Sequence, residues 1–247
     1  FDAENIIKVS IQQFYGIEIN DFAVAVATTA LWISEAQMLR ETERIIKHEI
    51  EFLPLKSFTN IHEGNALRMD WMSVAPANLN YIMGNPPFVG AAMMSAEQKN
   101  EAVEIFGNIK LSNSIDYVGA WYHKAAQLMC RYPIIKTALV STNSITQGEQ
   151  VAALWQPLFE RYNIQIIFAH RTFRWDSEAS LKAHVHCVIV GFSCRKQTNN
   201  SPSKIEGVSQ SDGGVCQPVR SNNLPYLKDN RRELRSHGTP AEGGLWN

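Results

Sequence analysis

Short apolar runs alternate with long helix-type stretches from residue 14 to residue 192, and this alternation restricts the folds open to the chain. The runs "FYGIEI" (14–19), "LNYIMG" (79–84), "KTALVST" (136–142), "NIQIIFAH" (163–170) and "AHVHCVIVGF" (183–192) have the length and content of buried strands. "NIHEGNAL" (60–67) reads as a brief strand and a turn. Helix-type stretches lie between them, at 22–47, at 114–130 ("SIDYVGAWYHKAAQLMC") and at 147–162 ("QGEQVAALWQPLFERY"). Residues 2–13 also look helical, with Ile6, Ile7, Val9 and Ile11 among polar residues. Parallel strands need a crossover of about a dozen residues or more, which helices supply. The order therefore predicts an α/β fold with a mostly parallel sheet, helices on both faces and an antiparallel pair formed by the last two strands at one edge. Asn20 or Asp21 is placed to cap the 22–47 helix. Its first half is apolar on all sides, so it should be covered by other elements.

The length of 247 residues allows one large domain or two small ones, and 45% apolar residues suffice for a substantial core. No run approaches the roughly 18 consecutive apolar residues of a membrane span. The first residues carry no signal-peptide pattern. They begin at Phe1 rather than Met, which suggests a fragment or a processed chain. Cys130, Cys187, Cys194 and Cys216 form no C-x-x-C pair, so a reducing, cytoplasmic setting is expected. Residues 1–194 hold 15 Lys and Arg against 19 Asp and Glu, whereas residues 195–247 hold 8 against 5. The main part has no overall basic footprint, so contacts to nucleic-acid phosphates must be local or come from another module. No aromatic residue occurs from 193 to 225, where Ser, Asn, Gln and Gly dominate, and this stretch reads as a loop or linker. "LPYL" (224–227) hints at a further ordered unit.

One strand end carries unusual chemistry. In "NYIMGNPPFVG" (80–90) the apolar run stops at Gly84 and gives way to Asn85, Pro86, Pro87 and Phe88. Each proline fixes its own φ and restricts the residue before it, so the Asn85 side chain and the Pro86 carbonyl are held in one arrangement. Both offer oxygen acceptors. Two converging acceptors suit an amino group with two N–H donors, and Phe88 beside them offers a face for a planar ring. A plain turn is the alternative.

Ligands of open α/β sheets bind at the carboxyl ends of strands. Glu18 ends the first strand, where such folds place an acid against ribose hydroxyls, and Gly64–Asn65 follows the second, within reach of an adenine edge. A solvated charge and a polar turn are the respective alternatives. His184 and His186 share one strand face with Cys187 on the other, but no third ligand stands at metal-site spacing. Arg171, Arg174, Lys182 and the "RRELR" run (231–235) are candidates for phosphate contacts, with solvated surface charge as the default. Asp116, Tyr117 and Trp121 fall in a helix-type stretch and read as core or supporting residues.

The blocks "FYGIEINDFAVAVATTALWI", "HEGNALRMDW", "YIMGNPPFVG", "IDYVGAWYHKAA", "ALVSTNSITQGEQVAALW" and "IFAHRTFRWDSEA" together resemble the DNA adenine methyltransferases that use S-adenosylmethionine, in particular the methyltransferase part of MmeI-like restriction–modification enzymes. The resemblance covers residues 1–192, with an echo in "NNLPYL". It implies a Rossmann-like class I methyltransferase sheet in the cytoplasm, acting on double-stranded DNA with S-adenosylmethionine as methyl donor. It implies that Glu18 and Ile19 bind the donor's ribose side. Asn65, where many relatives carry Asp, would meet the donor's adenine together with Ala66. Asn85 and Pro86 would accept hydrogen bonds from the target amino group, within a catalytic tetrapeptide completed by Pro87 and Phe88. Phe88 would stack on the flipped base, and Phe173 would form the other wall unless it is a core aromatic.

Relatives begin with a glycine-rich donor loop, which does not precede Glu18 here, so the resemblance implies an N-terminally truncated core (1–192), a linker (193–223) and the start of a target-recognition region (224–247). Nuclease and recognition domains would belong to the same polypeptide, and a lone core would bind donor poorly. Methylation of RNA or of protein glutamine, and a non-catalytic DNA-binding or assembly module, are the other readings.

Overall fold

A computed structural model of the chain describes residues 8–47, 60–107, 114–176 and 184–195. The first part of the expected 2–13 helix, Lys182, the "RRELR" run, "LPYL" and nearly all of the expected linker lie outside the described residues. The chain divides into two compact units, residues 1–78 and 79–247.

In the first unit, β1 (Tyr15–Glu18) pairs in parallel with β2 (Asn60–Glu63). Between them runs the 26-residue helix α1 (Asp21–Ile46). Asn20 caps it: its side-chain oxygen accepts the Ala23 N–H at 3.1 Å, which satisfies one of the orphan donors of the first turn. Lys47, in the left-handed region at φ 54°, ends it. A short 3-10 turn, Ile11–Gln13, stands where the helix over 2–13 was expected.

One expectation for α1 fails. No residue of α1 is buried, and Phe22 is 74% exposed. Among the described residues of the unit its main neighbours are β1, β2 and the 11–13 turn, and two short strands cannot cover a helix of this length. By length and composition α1 is also long and apolar enough to cross a membrane. Its apolar residues are not consecutive, because Thr28, Thr29, Ser34 and Glu35 interrupt the run.

The second unit is built on a four-stranded sheet with the order β3 (Tyr81–Gly84), β4 (Lys136–Thr142), β6 (His184–Cys194), β5 (Ile164–Asp176). β3 and β4 are parallel, while β6 runs antiparallel to both β4 and β5. Thus β3, β4 and β5 point the same way and β6 is the reversed strand. The expected antiparallel pair is present, but β6 is inserted beside β4 and β5 takes the edge. The helices are α2 (Ala96–Phe106), α3 (Gly119–Arg131) and α4 (Gly148–Tyr162).

Within this unit α3 and α4 pack together against the sheet. Thr137, Leu139 and Ser141 alternate inward along β4, as a half-buried strand requires. Tyr122 of α3 stacks on Phe192 of β6 (centroids 5.3 Å apart) and meets the Trp155 ring of α4 edge-on at 5.4 Å. Its hydroxyl lies 2.8 Å from Ser141 Oγ, and Trp155 Nε1 donates to the Ile145 carbonyl at 2.9 Å. These rings bring large apolar area into the core while their polar tips stay bonded. Burial pushes the Tyr122 hydroxyl pKa well up from its ordinary value. Gly119 opens α3 at a close approach: a Cβ there would stand 2.3 Å from Ile115 Cγ2.

Candidate active site

The carboxyl end of the small sheet brings two of the expected positions together. Glu18 ends β1 opposite Glu63, and the Glu18 carbonyl accepts the Gly64 N–H at 2.8 Å, so Glu18 and Asn65 emerge side by side. Glu18 Oε1 accepts the Asn20 N–H at 3.2 Å. Its second oxygen, Oε2, takes no hydrogen bond among the described residues and remains an open anionic acceptor. Ile19, 68% exposed, continues the surface beside it.

Asn65 is partly committed to its own turn. Its Oδ1 accepts the Leu67 N–H at 2.9 Å, and its carbonyl accepts the Arg68 and Met69 N–H groups. The local polar turn weighed at this position therefore exists. The Ala66 carbonyl accepts Trp71 Nε1 at 2.7 Å, which fixes the same turn from the other side.

At the carboxyl end of β3 the chain leaves the sheet as expected. Asn85 is exposed, Pro86 buried, Pro87 exposed and Phe88 half-buried. Among the described residues, neither the Asn85 side chain nor the Pro86 carbonyl has a hydrogen-bond partner. The groups that follow are engaged. The Pro87 carbonyl accepts the Val89 N–H at 3.2 Å, the Val89 carbonyl accepts the Tyr117 N–H at 2.9 Å, and the Ala91 N–H donates to Asp116 Oδ1 at 2.9 Å. Two acceptors thus stand open on a segment whose exit is pinned. A rigid open acceptor pair can hold a group with two N–H donors and oppose the spread of positive charge from it.

Phe173 lies in β5 opposite Cys187 of β6, and Cys187 on its other side faces Thr142 at the end of β4. Because β3, β4 and β5 share a direction, Phe173 and the Asn85–Phe88 segment lie toward the same end of the sheet. Three strand steps separate β3 from β5, about 14 Å at the usual spacing. Phe173 is half-buried. Arg171 and Arg174, expected in a loop, fall within β5, which extends to Asp176.

Sequence reasoning set Asp116 aside as core or supporting. The structure agrees: Asp116 is buried, and its carboxylate supports the exit of the proline segment directly. Sequence reasoning missed α2, although Ser95 and Gln98 form a capping box that marks the start of that helix.

Comparison with known proteins gives concordant results. The family model described as MmeI, DNA-methyltransferase domain, matches residues 2–204. The protein DNA methyltransferase A of Bacillus subtilis (strain 168) is 39% identical over 236 residues, covering 94% of this chain and 26% of its own length. The solved structure of the Type IIL restriction–modification enzyme MmeI in complex with DNA matches with a TM-score of 0.73 and 42% identity, over 92% of this chain and 30% of that one. The chain therefore spans between a quarter and a third of the length of these relatives.

Proposed function

The chain belongs to the family of the MmeI DNA-methyltransferase domain, and from that premise we propose that it transfers a methyl group from S-adenosylmethionine to the exocyclic amino group of an adenine flipped out of duplex DNA. The observation that carries the proposal is the pair of unengaged acceptors, the Asn85 side chain and the Pro86 carbonyl, on a segment fixed by Pro86 burial and by the bonds of Val89 and Ala91. The exocyclic nitrogen of adenine is a poor nucleophile because its lone pair is delocalised into the ring. Acceptors on both of its hydrogens favour a more tetrahedral nitrogen and stabilise the positive charge that develops there. Holding the nitrogen in one place also removes part of the entropic barrier.

Flipping the base out of the stack costs a few kcal/mol. Stacking on Phe88 returns roughly 1–3 kcal/mol, by analogy with other base–aromatic contacts. Phe173, at the same end of the sheet, serves as a second aromatic contact for the displaced nucleotide. S-adenosylmethionine supplies an electrophilic methyl group when bound. The residues that fit it are Glu18, whose open Oε2 suits a ribose diol, the apolar surface of Ile19, and Asn65 with Ala66 on the adenine side. The parallel β3–β4 pair and the reversed β6 of the second unit, and the parallel β1–β2 pair within the first, each support the reading of residues 1–192 as a Rossmann-like class I methyltransferase core. On this reading the enzyme is cytoplasmic, and recognition and nuclease functions reside elsewhere in the same polypeptide.

The proposal is tested with the full-length protein, labelled methyl donor and unmethylated bacterial DNA, with RNA and protein as parallel acceptors. Label in DNA, recovered as N6-methyladenine after nucleoside digestion, is the expected result. Label in RNA or protein alone would favour the related acceptors, and DNA binding with no donor binding would favour a non-catalytic module.

A further inference from the structure

We infer that Asp116 is a positioning residue that sets the placement of the Asn85–Phe88 segment, an inference that rests on the reading of that segment as the target amino-group site. Asp116 lies just before α3 and is buried. Its two carboxylate oxygens gather donors from distant parts of the unit. Oδ1 accepts the Ala91 N–H at 2.9 Å, three residues past Phe88. Oδ2 accepts the Ser144 hydroxyl at 2.5 Å and faces the Thr142 hydroxyl at 3.5 Å, both at the carboxyl end of β4. The Asp116 N–H donates to Gln150 Oε1 of α4 at 3.2 Å.

The next residue completes the clamp. The Tyr117 N–H donates to the Val89 carbonyl at 2.9 Å, and the Tyr117 hydroxyl bonds the buried Glu101 carboxylate of α2. Consecutive residues 116 and 117 thus hold the chain on either side of Gly90. The segment leaving Phe88 is fastened to the end of the neighbouring parallel strand and to two helices. The residue type follows from the donors. A carboxylate accepts from the amide on one oxygen and from hydroxyls on the other, and charge strengthens each bond. An amide side chain keeps one acceptor oxygen for Ala91 and turns an NH2 toward Ser144, whose hydroxyl can rotate to accept. An alanine leaves the Ala91 N–H unpaired in a part-buried setting.

The consequence is kinetic. Loosening the exit of the segment misplaces Asn85 and Phe88 without touching Glu18 or Asn65, so methyl transfer should suffer while donor binding survives. The test uses the full-length protein with labelled donor and unmethylated bacterial DNA. Asp116→Ala is expected to lower kcat at least 30-fold, with donor affinity by calorimetry within threefold of wild type. Asp116→Asn should recover activity to within about tenfold, because it restores the Ala91 contact. Ser144→Ala, which removes one hydroxyl from the far side of the carboxylate, should lower kcat several-fold and serves as the reading variant if Asp116→Ala does not fold.

Wild-type kcat in a folded Asp116→Ala or in Ser144→Ala, or equal losses in Asp116→Asn and Asp116→Ala, would overturn the positioning role. Asn85→Ala, assayed alongside, separates the two claims. If it too retains full turnover, the reading of the segment fails. If it alone is inactive, only the role of Asp116 fails.

Discussion

Asn85 stands exposed on the residue pair whose other member, Pro86, is buried. The buried ring anchors the chain at the end of β3, and the side chain before it is turned out with no partner among the described residues. Anchor and open acceptor on adjacent residues are what a fixed hydrogen-bonding site requires. Phe88, two residues on, is half-buried and leaves part of its ring accessible. Phe88→Ala should lower kcat/KM for DNA by about 5- to 150-fold, the equivalent of ~1–3 kcal/mol of lost stacking. Phe88→Tyr should keep most of the activity. Steady-state methylation with both variants checks this, and equal losses would show that the ring's face is not what matters.

Glu18 governs the donor side. Its Oε1 serves the Asn20 N–H and its Oε2 is open. Glu18→Ala is expected to weaken binding of S-adenosylmethionine to the full-length protein by about 10- to 150-fold, as for loss of ~1.5–3 kcal/mol of charge-assisted hydrogen bonding. Calorimetry measures this directly. Unchanged affinity would remove Glu18 from the donor site.

His123 carries a pH dependence. It lies fully buried in α3 between Phe106 and Tyr162, and both ring nitrogens lack partners among the described residues. Burial first, and the Arg161 charge second, hold its pKa down at about 3 against an ordinary 6.5. The unfolded chain therefore takes up the proton before the folded one as pH falls. The stability tied to the neutral ring is full above pH ~6.5 and is lost on acidification toward pH ~3, by up to ~1.4 kcal/mol per unit. His123→Phe keeps the edge-on ring contacts and removes the titration. Urea unfolding at pH 7 and pH 5 should show wild type losing about 2 kcal/mol more than this variant over that interval. Equal losses would mean that another group titrates.

Gly119 sets a packing limit. A Cβ there would meet Ile115 Cγ2 at 2.3 Å and Leu154 Cδ1 at 3.4 Å, in a fully buried place where little can move. Gly119→Ala should cost about 1–3 kcal/mol through overpacking, despite the better helix propensity of alanine. Denaturant unfolding tests it, and a stabilised variant would contradict the close approach.

Local patterns carried much of this architecture and failed at identifiable points. "KTALVST" matches β4 residue for residue because its alternation is strong, and Asn20 caps α1 as its residue type suggests. The end of β3 was legible because prolines at 86 and 87 cannot continue a strand. Helix α2 was missed because its surface is mostly polar. β5 was read as too short because "RTFRWD" lacks an apolar run, although the strand pairs with β6 as far as Asp176. The place of Asp116 was hidden for a different reason: its partners Ala91, Ser144 and Gln150 lie 25, 28 and 34 residues away in sequence. No local periodicity encodes such contacts.

The most direct test of the account is Asn85→Ala in the full-length protein, with methyl transfer to DNA and donor binding measured on the same preparation. The open amide should contribute chiefly to the reacting nitrogen. Transfer should therefore fall by about 100-fold or more, while the affinity for S-adenosylmethionine stays within a few-fold of wild type. Wild-type turnover in this variant would contradict the central claim that the Asn85–Pro86 acceptor pair holds the target amino group.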